Sequence, residues 1–181
     1  MTKNDPFYVK FKSLCHGSNY LGTSAGLAKQ IGLLVHEVEV IQKWYFGKFP
    51  KIKTWQDSVK DQAFKRQMVQ NVFGNRLYIF KRIEGTVMNE VIAWIPQSTI
   101  ALLVDRAMIT LMDQFPDTGN PKQFDILQQN HDSLAGQFET GKEDIYLPAI
   151  KEAMEITLPF DKPIVIPSDV HISTQSWGHC K

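Results

Sequence analysis

Three short stretches of this sequence carry side chains that could do chemistry. In Lys12-Ser13-Leu14-Cys15-His16-Gly17-Ser18-Asn19-Tyr20, the residues Lys12, His16 and Tyr20 stand at i, i+4 and i+8. A helix at that spacing stacks an ammonium, an imidazole and a phenol along one face. Such a column could hold a nucleoside triphosphate lengthwise, with the ammonium on the phosphates, the imidazole by the sugar and the phenol against the base. Gly17, beside it, lets another group approach the backbone closely. An ordinary basic helix with a half-buried tyrosine would show the same spacing. His131-Asp132 lies between two strand-like runs. A carboxylate at a hairpin tip suits Mg²⁺, a hard cation that prefers oxygen and takes few protein ligands; it is equally a common turn residue. Gln97, in Pro96-Gln97-Ser98-Thr99, donates and accepts hydrogen bonds at once, which suits reading nucleic-acid edges. Ser98 or Thr99 could instead simply cap a helix that starts there.

The elements that must position these groups follow from periodicity and breakers. Phe7 to Tyr20 is basic and mixed. Gly22-Thr23-Ser24 breaks it and caps a short second helix, and Gly32 ends that one. A longer helix runs through His36-Glu37-Val38-Glu39 to Phe49, where Pro50 stops it. Ile52 to Gln67 gives another, with Trp55 and Val59 facing inward. Then the period changes. Val72-Phe73, Gly74-Asn75 and Leu77-Tyr78-Ile79-Phe80 read as a hairpin with a two-residue turn. From Gln97 to Gln114 the residues Ile100, Leu103, Val104, Ala107, Met108, Leu111 and Met112 recur with helical period, a core stripe. Phe115 to Pro121 is a loop. Ile126–Gln129 and Leu134–Phe138 are strands, Glu143–Ile156 a helix, and Pro163–Pro167 and His171–Ser173 terminal strands. Helices followed by hairpins packed on helices give an α+β fold, in which residues 1–70 form a helical segment and residues 71–181 carry the hairpins.

Composition sets the limits. The chain has 181 residues, 43% apolar and 22% charged, which excludes a disordered, collagen-like or coiled-coil chain. The longest uncharged stretch, Val91 to Val104, is too short to span a bilayer. Met1 to Pro6 lacks the apolar run of a signal peptide. Cys15 and Cys180 are the only cysteines, so no disulfide framework is expected, and a reducing, cytosolic compartment without membrane association fits best. The net charge of +1 hides a division: residues 1–82 carry fourteen Lys and Arg against five acids, residues 83–181 six against fourteen. That split suits a polyanion on one side and cations on the other, or simply two solvated faces.

In combination and in this order, the motifs resemble the C-terminal part of the family A, polymerase-I-like DNA polymerases, phage versions especially. Lys12, His16, Gly17 and Tyr20 match the fingers-helix pattern of the family. Phe73-Gly74-Asn75-Arg76 looks like the turn leading into the palm strands. Ile95-Pro96-Gln97-Ser98-Thr99 with Asp105-Arg106-Ala107-Met108 is similar to the palm helix bearing the primer-contacting glutamine. Leu127 to Leu134 is similar to the palm hairpin with a catalytic carboxylate. The resemblance implies a fingers-like segment over 1–70 and a palm-like segment over 71–181. It implies that Lys12 neutralises the incoming dNTP triphosphate, that His16 takes the sugar-discriminating position, and that Tyr20 closes the base-pair pocket. Gln97 and His131 would lie at the primer–template terminus, Arg76 would meet the DNA backbone, and Asp132 would ligate Mg²⁺ in a two-metal nucleotidyl transfer.

Three positions depart from the family pattern. Tyr8 stands where the family usually has Arg, Ser133 where many members have Glu, and Leu21 intervenes between Tyr20 and Gly22, where Gly commonly follows Tyr directly. The second metal-binding Asp of the family lies upstream of the fingers helix, so the second ligand set is missing from this chain. The expectation is therefore the fingers-and-palm end of a split or truncated polymerase, completed by an N-terminal polypeptide and located in the cytoplasm, or in the host cytoplasm if phage-encoded. A catalytically inactive remnant that grips primer–template DNA is the main alternative, and it would bind DNA with steep salt dependence. A third reading, a metal protein built on Cys15-His16 and His179-Cys180, lacks the usual zinc-ligand spacing.

Overall fold

The computed structural model describes residues 5–116 and 124–180. Met1 to Asn4, read above for a leader, and the expected loop from Asp117 to Pro121 lie outside the described residues. Four helices open the chain: α1 (Pro6–Asn19), α2 (Ser24–Ile31), α3 (Val35–Lys48) and α4 (Pro50–Arg66). Each start has a local cause. The Asp5 carboxylate accepts from the Phe7 N–H at 2.8 Å, the Thr23 hydroxyl accepts from the Gly26 N–H at 3.2 Å, and the Glu37 carboxylate reaches back to the Leu34 N–H at 2.8 Å, all typical uses of a first turn's orphan donors. Gly32 ends α2 in the left-handed region, φ 67°. Pro50 does more than stop α3: it is the first residue of α4, where its missing N–H has no helical partner to lose.

The first hairpin differs from its expected form. The strands are β1 (Met68–Gln70) and β2 (Arg76–Tyr78), paired antiparallel with Gln70 opposite Arg76. Five residues link them instead of two. Asn71 explains the longer loop: its side chain accepts from the Phe73 N–H at 3.0 Å, its carbonyl accepts from Gly74 N–H at 3.1 Å, and its amide donates to Ser98 Oγ at 3.0 Å. Only Gly74 of the expected Gly-Asn pair takes a positive φ, 90°.

The helix expected from Gln97 begins ten residues earlier, as α5 (Val87–Gln114), with Pro96 in its interior. Proline removes one helical hydrogen bond and crowds the preceding turn. Apolar burial on both sides of it outweighs that cost: Met88, Val91 and Ile92 enter one core cluster, Leu103 and Val104 another. Met112, expected in the core stripe, is 62% exposed. By length and hydropathy α5 could cross a membrane, which the shorter uncharged stretch did not suggest, but seven of its apolar side chains are core residues.

After α5 come β3 (Phe124–Asn130) and β4 (Ser133–Phe138), α6 (Glu143–Met154), and the short pair β5 (Thr157–Leu158) and β6 (Ile164–Val165). The three strand pairs form separate two-stranded antiparallel sheets. His171 to Ser173, expected as a strand, has no strand pairing. The chain divides into two compact units, Met1–Gln70 with Asn75–Ile95, and Asn71–Gly74 with Pro96–Lys181. Helices give way to the first hairpin at Gln67, so the expected division between residues 70 and 71 falls at the end of β1; packing assigns both strands of that hairpin and the start of α5 to the first unit.

Candidate functional site

In the first unit, α1 carries Lys12 and His16 exposed and Tyr20 half-buried as its C-terminal cap residue. The His16 and Tyr20 rings meet edge to face, with centroids 4.7 Å apart and planes at 89°, a favoured aromatic geometry. Lys12 and His16 line a surface cleft of about 640 Å³ with Tyr8, Val9, Ser13, Gly17 and, from α2, Gln30. The half-buried Tyr8 thus sits in the same cleft as the ammonium, at the position where the family pattern has Arg. The structure therefore joins Lys12 and His16 in one cleft and sets Tyr20 against His16. The face is solvated and cationic, as an anionic ligand requires.

Gly17 is needed for packing. A Cβ there would stand 2.3 Å from Leu27 Cδ2, so the close approach foreseen at this glycine is made by α2. Behind the face, Leu14 is 1% exposed and packs with Leu27, Ala28, Ile31 and Val38. Arg76, also in the first unit, projects exposed from β2 opposite Gln70.

Sequence reasoning missed the polar groups that hold the end of α1. Gln56 of α4, 1% exposed, donates to the carbonyls of Ser18 at 3.0 Å and Asn19 at 2.9 Å. Asn89 of α5 donates to the Tyr20 carbonyl at 3.0 Å. Gln42 of α3 donates to Ser18 Oγ and the Gly22 carbonyl, and the Tyr45 hydroxyl donates to Asn19 Oδ1 at 3.1 Å. Two polar residues at inward positions of otherwise amphipathic helices, Gln42 and Gln56, were the available signal.

In the second unit, His131 and Asp132 form the two-residue turn between β3 and β4, with Asn130 paired to Ser133. Both are exposed, and His131 has φ 52°. The Ser133 hydroxyl donates to the Asn130 carbonyl at 3.0 Å, and Gln129 Nε2 donates to Asp105 of α5 at 3.3 Å. Gln97 is exposed on α5, one residue beyond Pro96. Ser98 and Thr99 do not cap a helix start, because α5 is already under way; Ser98 instead receives the Asn71 amide. Arg106 lies over the Phe73 ring, 4.1 Å from its centroid.

Asp132 is a hard oxygen donor facing solvent, which fits one ligand position for Mg²⁺. Among the described residues no three His, Cys, Asp or Glu side chains gather as a ligand set, so these residues do not make a whole metal centre. The Cys15-His16 and His179-Cys180 pairs gain nothing from the structure: burial raises the Cys15 thiol above its ordinary pKa, which disfavours the thiolate a metal needs. His179 Nδ1 lies 2.7 Å from Ser176 Oγ.

The family model for DNA polymerase family A matches residues 9–179. The chain is 25% identical over 169 residues to DNA polymerase I of Pseudomonas aeruginosa, covering 88% of this chain and 18% of that protein. It is 28% identical over 156 residues to DNA polymerase I of Rhizobium leguminosarum, covering 82% and 15%. It is 24% identical over 161 residues to the thermostable DNA polymerase I of Thermus filiformis, covering 86% and 19%. The chain thus spans less than a fifth of the length of these relatives. Among solved structures, the POL domain of Pol1 from M. smegmatis in complex with DNA primer-template and dNTP matches with a TM-score of 0.73 at 23% identity, over 82% of this chain and 27% of that one. That match is one of fold.

Proposed function

The chain belongs to DNA polymerase family A, and from that premise we propose that it is the fingers-and-palm-end portion of a template-directed DNA polymerase. The observation that carries the reading is the cationic cleft on α1, where Lys12 and His16 stand in line with Tyr20. Lys12 binds the triphosphate of an incoming dNTP, His16 stands beside its sugar, and Tyr20 abuts its base. Gln97 and His131 contact the primer–template terminus, and Arg76 contacts the DNA backbone. The reaction is attack of the primer 3′-hydroxyl oxygen on the α-phosphorus, with loss of the hydroxyl proton to solvent and breakage of the bond to the pyrophosphate leaving group. Asp132 contributes one carboxylate to Mg²⁺, which when bound neutralises charge on the attacking and leaving oxygens. The remaining ligands come from a complementing N-terminal polymerase polypeptide. The phage-type and cytoplasmic assignments belong to the same proposal, and the two unbridged cysteines support the second.

Primer extension tests this. The purified chain, mixed with a polymerase polypeptide that carries the upstream Asp, is expected to extend a primer, and Asp132→Ala to abolish the extension. Lack of extension in every mixture, with salt-sensitive duplex binding retained, would favour the inactive DNA-binding remnant.

A further inference from the structure

We propose that the C-terminal cap of α1 is a positioning device for Tyr20, with Gln56 and Asn89 as positioning residues; this rests on the nucleotide-site reading above. A helix leaves its last carbonyls without partners. Here the Gly22 N–H bonds the Gly17 carbonyl at 2.8 Å and the Leu21 N–H bonds Ser18 at 3.3 Å, the paired pattern of a Schellman cap. That pattern puts one residue in the left-handed region, ordinarily glycine. In this chain it is Leu21, at φ 63°, a conformation rare for a bulky side chain. Such a backbone persists when its surroundings over-determine it.

The surroundings do so. Gln56 donates both to the Ser18 carbonyl and to that of Asn19, and Asn89 reaches that of Tyr20 itself. Leu21 and Tyr20 also pack against the cluster of Val59, Ala63 and Ile92. Three elements that follow α1 in the chain, α3, α4 and α5, thus each send an amide to its last turn or to Gly22 just beyond it. The arrangement present fixes the main chain on either side of the one aromatic ring that the proposed function aims at a base. Its consequence is preorganisation: Tyr20 is held edge to face with His16 before ligand arrives, and the cost of ordering it on binding is already met.

When a donor is removed, the competent orientation of Tyr20 becomes a fraction of the population, and the apparent dissociation constant rises by the inverse of that fraction. The test uses the full chain and dATP, with binding followed by calorimetry and the His16 and Tyr20 ring signals by NMR, below the melting temperature of each variant. Asn89→Ala and Gln56→Met are expected to weaken dATP binding roughly tenfold and to shift the ring signals, while Asn89→Gln, which keeps an amide donor, restores both. Should Gln56→Met not fold, Asn89→Ala, at a half-buried site, still decides the matter. Wild-type dATP affinity and unshifted ring signals in folded Asn89→Ala would overturn the positioning role alone. Failure of the unsubstituted chain to bind dATP would overturn the nucleotide-site reading, and the positioning role with it.

Discussion

The two regions that carry the candidate chemistry are built in opposite ways. The end of α1 is held by neutral side-chain amides and a hydroxyl from three helices, around a leucine in a left-handed conformation. The His131-Asp132 tip is held by strand register, one serine hydroxyl and one glutamine. The first is fixed before any ligand arrives. The second places a carboxylate in solvent with little to orient it, as suits a group whose partner is a cation that brings its own geometry. A stacking surface needs a defined plane; a single charge needs only reach.

Substitution of glycine separates the two constructions most sharply. At Gly136 in β4 a Cβ would stand 2.9 Å from the Asp125 main-chain oxygen, and a main-chain atom within a paired strand cannot step aside. Gly136→Ala is expected to cost about 3 kcal/mol, read as a lowered urea midpoint. At Gly17 the obstacle is the tip of the Leu27 side chain, which can change rotamer, so Gly17→Ala should cost about 1–2 kcal/mol. If Gly17→Ala proves the more damaging, the packing behind the cationic face is the stiffer of the two.

Lys12→Ala probes function with little structural cost, because Lys12 is exposed. Loss of a charge-assisted contact to phosphate is worth about 1.5–3 kcal/mol, so dATP binding should fall roughly 10- to 100-fold while the melting temperature stays within a degree or two. The loss should shrink as salt rises. Asp132→Ala should leave dATP binding measured without divalent metal unchanged, since the carboxylate acts through Mg²⁺.

Much of this was legible in the residue order. The column of Lys12, His16 and Tyr20 follows from helical spacing once Phe7 to Tyr20 is taken as a helix, and the His131-Asp132 turn from the strand-like runs on either side. The boundaries failed where long-range contacts override local signals. Pro96 reads as a helix start, but burial of Met88 and Ile92 on one side and Leu103 on the other carries α5 through it. Gly74-Asn75 reads as a tight turn, but Asn71 and Phe73 have partners in α5, Ser98 and Arg106, that lengthen the loop. Gln42 and Gln56 showed only as polar residues at inward positions, and Asn89 not at all, because nothing local tells which distant carbonyl a side-chain amide will bond.

Two of the three non-glycine residues with positive φ among the described residues, His131 and Leu21, give a subtler contrast. His131 is exposed, so His131→Gly relieves the backbone and loses no packing; it should be neutral or stabilise by up to about 1 kcal/mol. Leu21→Gly relieves the same kind of backbone but removes a side chain that packs against the core cluster of the first unit, and a net loss of about 1 kcal/mol is expected. Equal and positive shifts in both melting temperatures would mean that Leu21 contributes strain and little else.

The smallest effect concerns pH. The α1 cap relies on amides, which do not titrate. In the second unit the corresponding anchor is a carboxylate: Glu155, at the end of α6, accepts from the Ser168 N–H at 2.9 Å and from the Ser168 hydroxyl at 3.2 Å. The Ser168 main-chain bond foremost, with the nearby Lys151 ammonium, draws the Glu155 pKa below its ordinary value. A carboxyl depressed on folding contributes stability above its unfolded pKa and loses it as pH falls through the folded one. The attachment of the Ser168 segment should therefore be constant at neutral pH and weaken only in the acid range below the usual glutamate value, seen as a lower hydrogen-exchange protection factor at the Ser168 amide. Glu155→Gln should remove most of that pH dependence, while the Tyr20 and Leu21 amides, held among neutral partners, keep their relative protection across the same range.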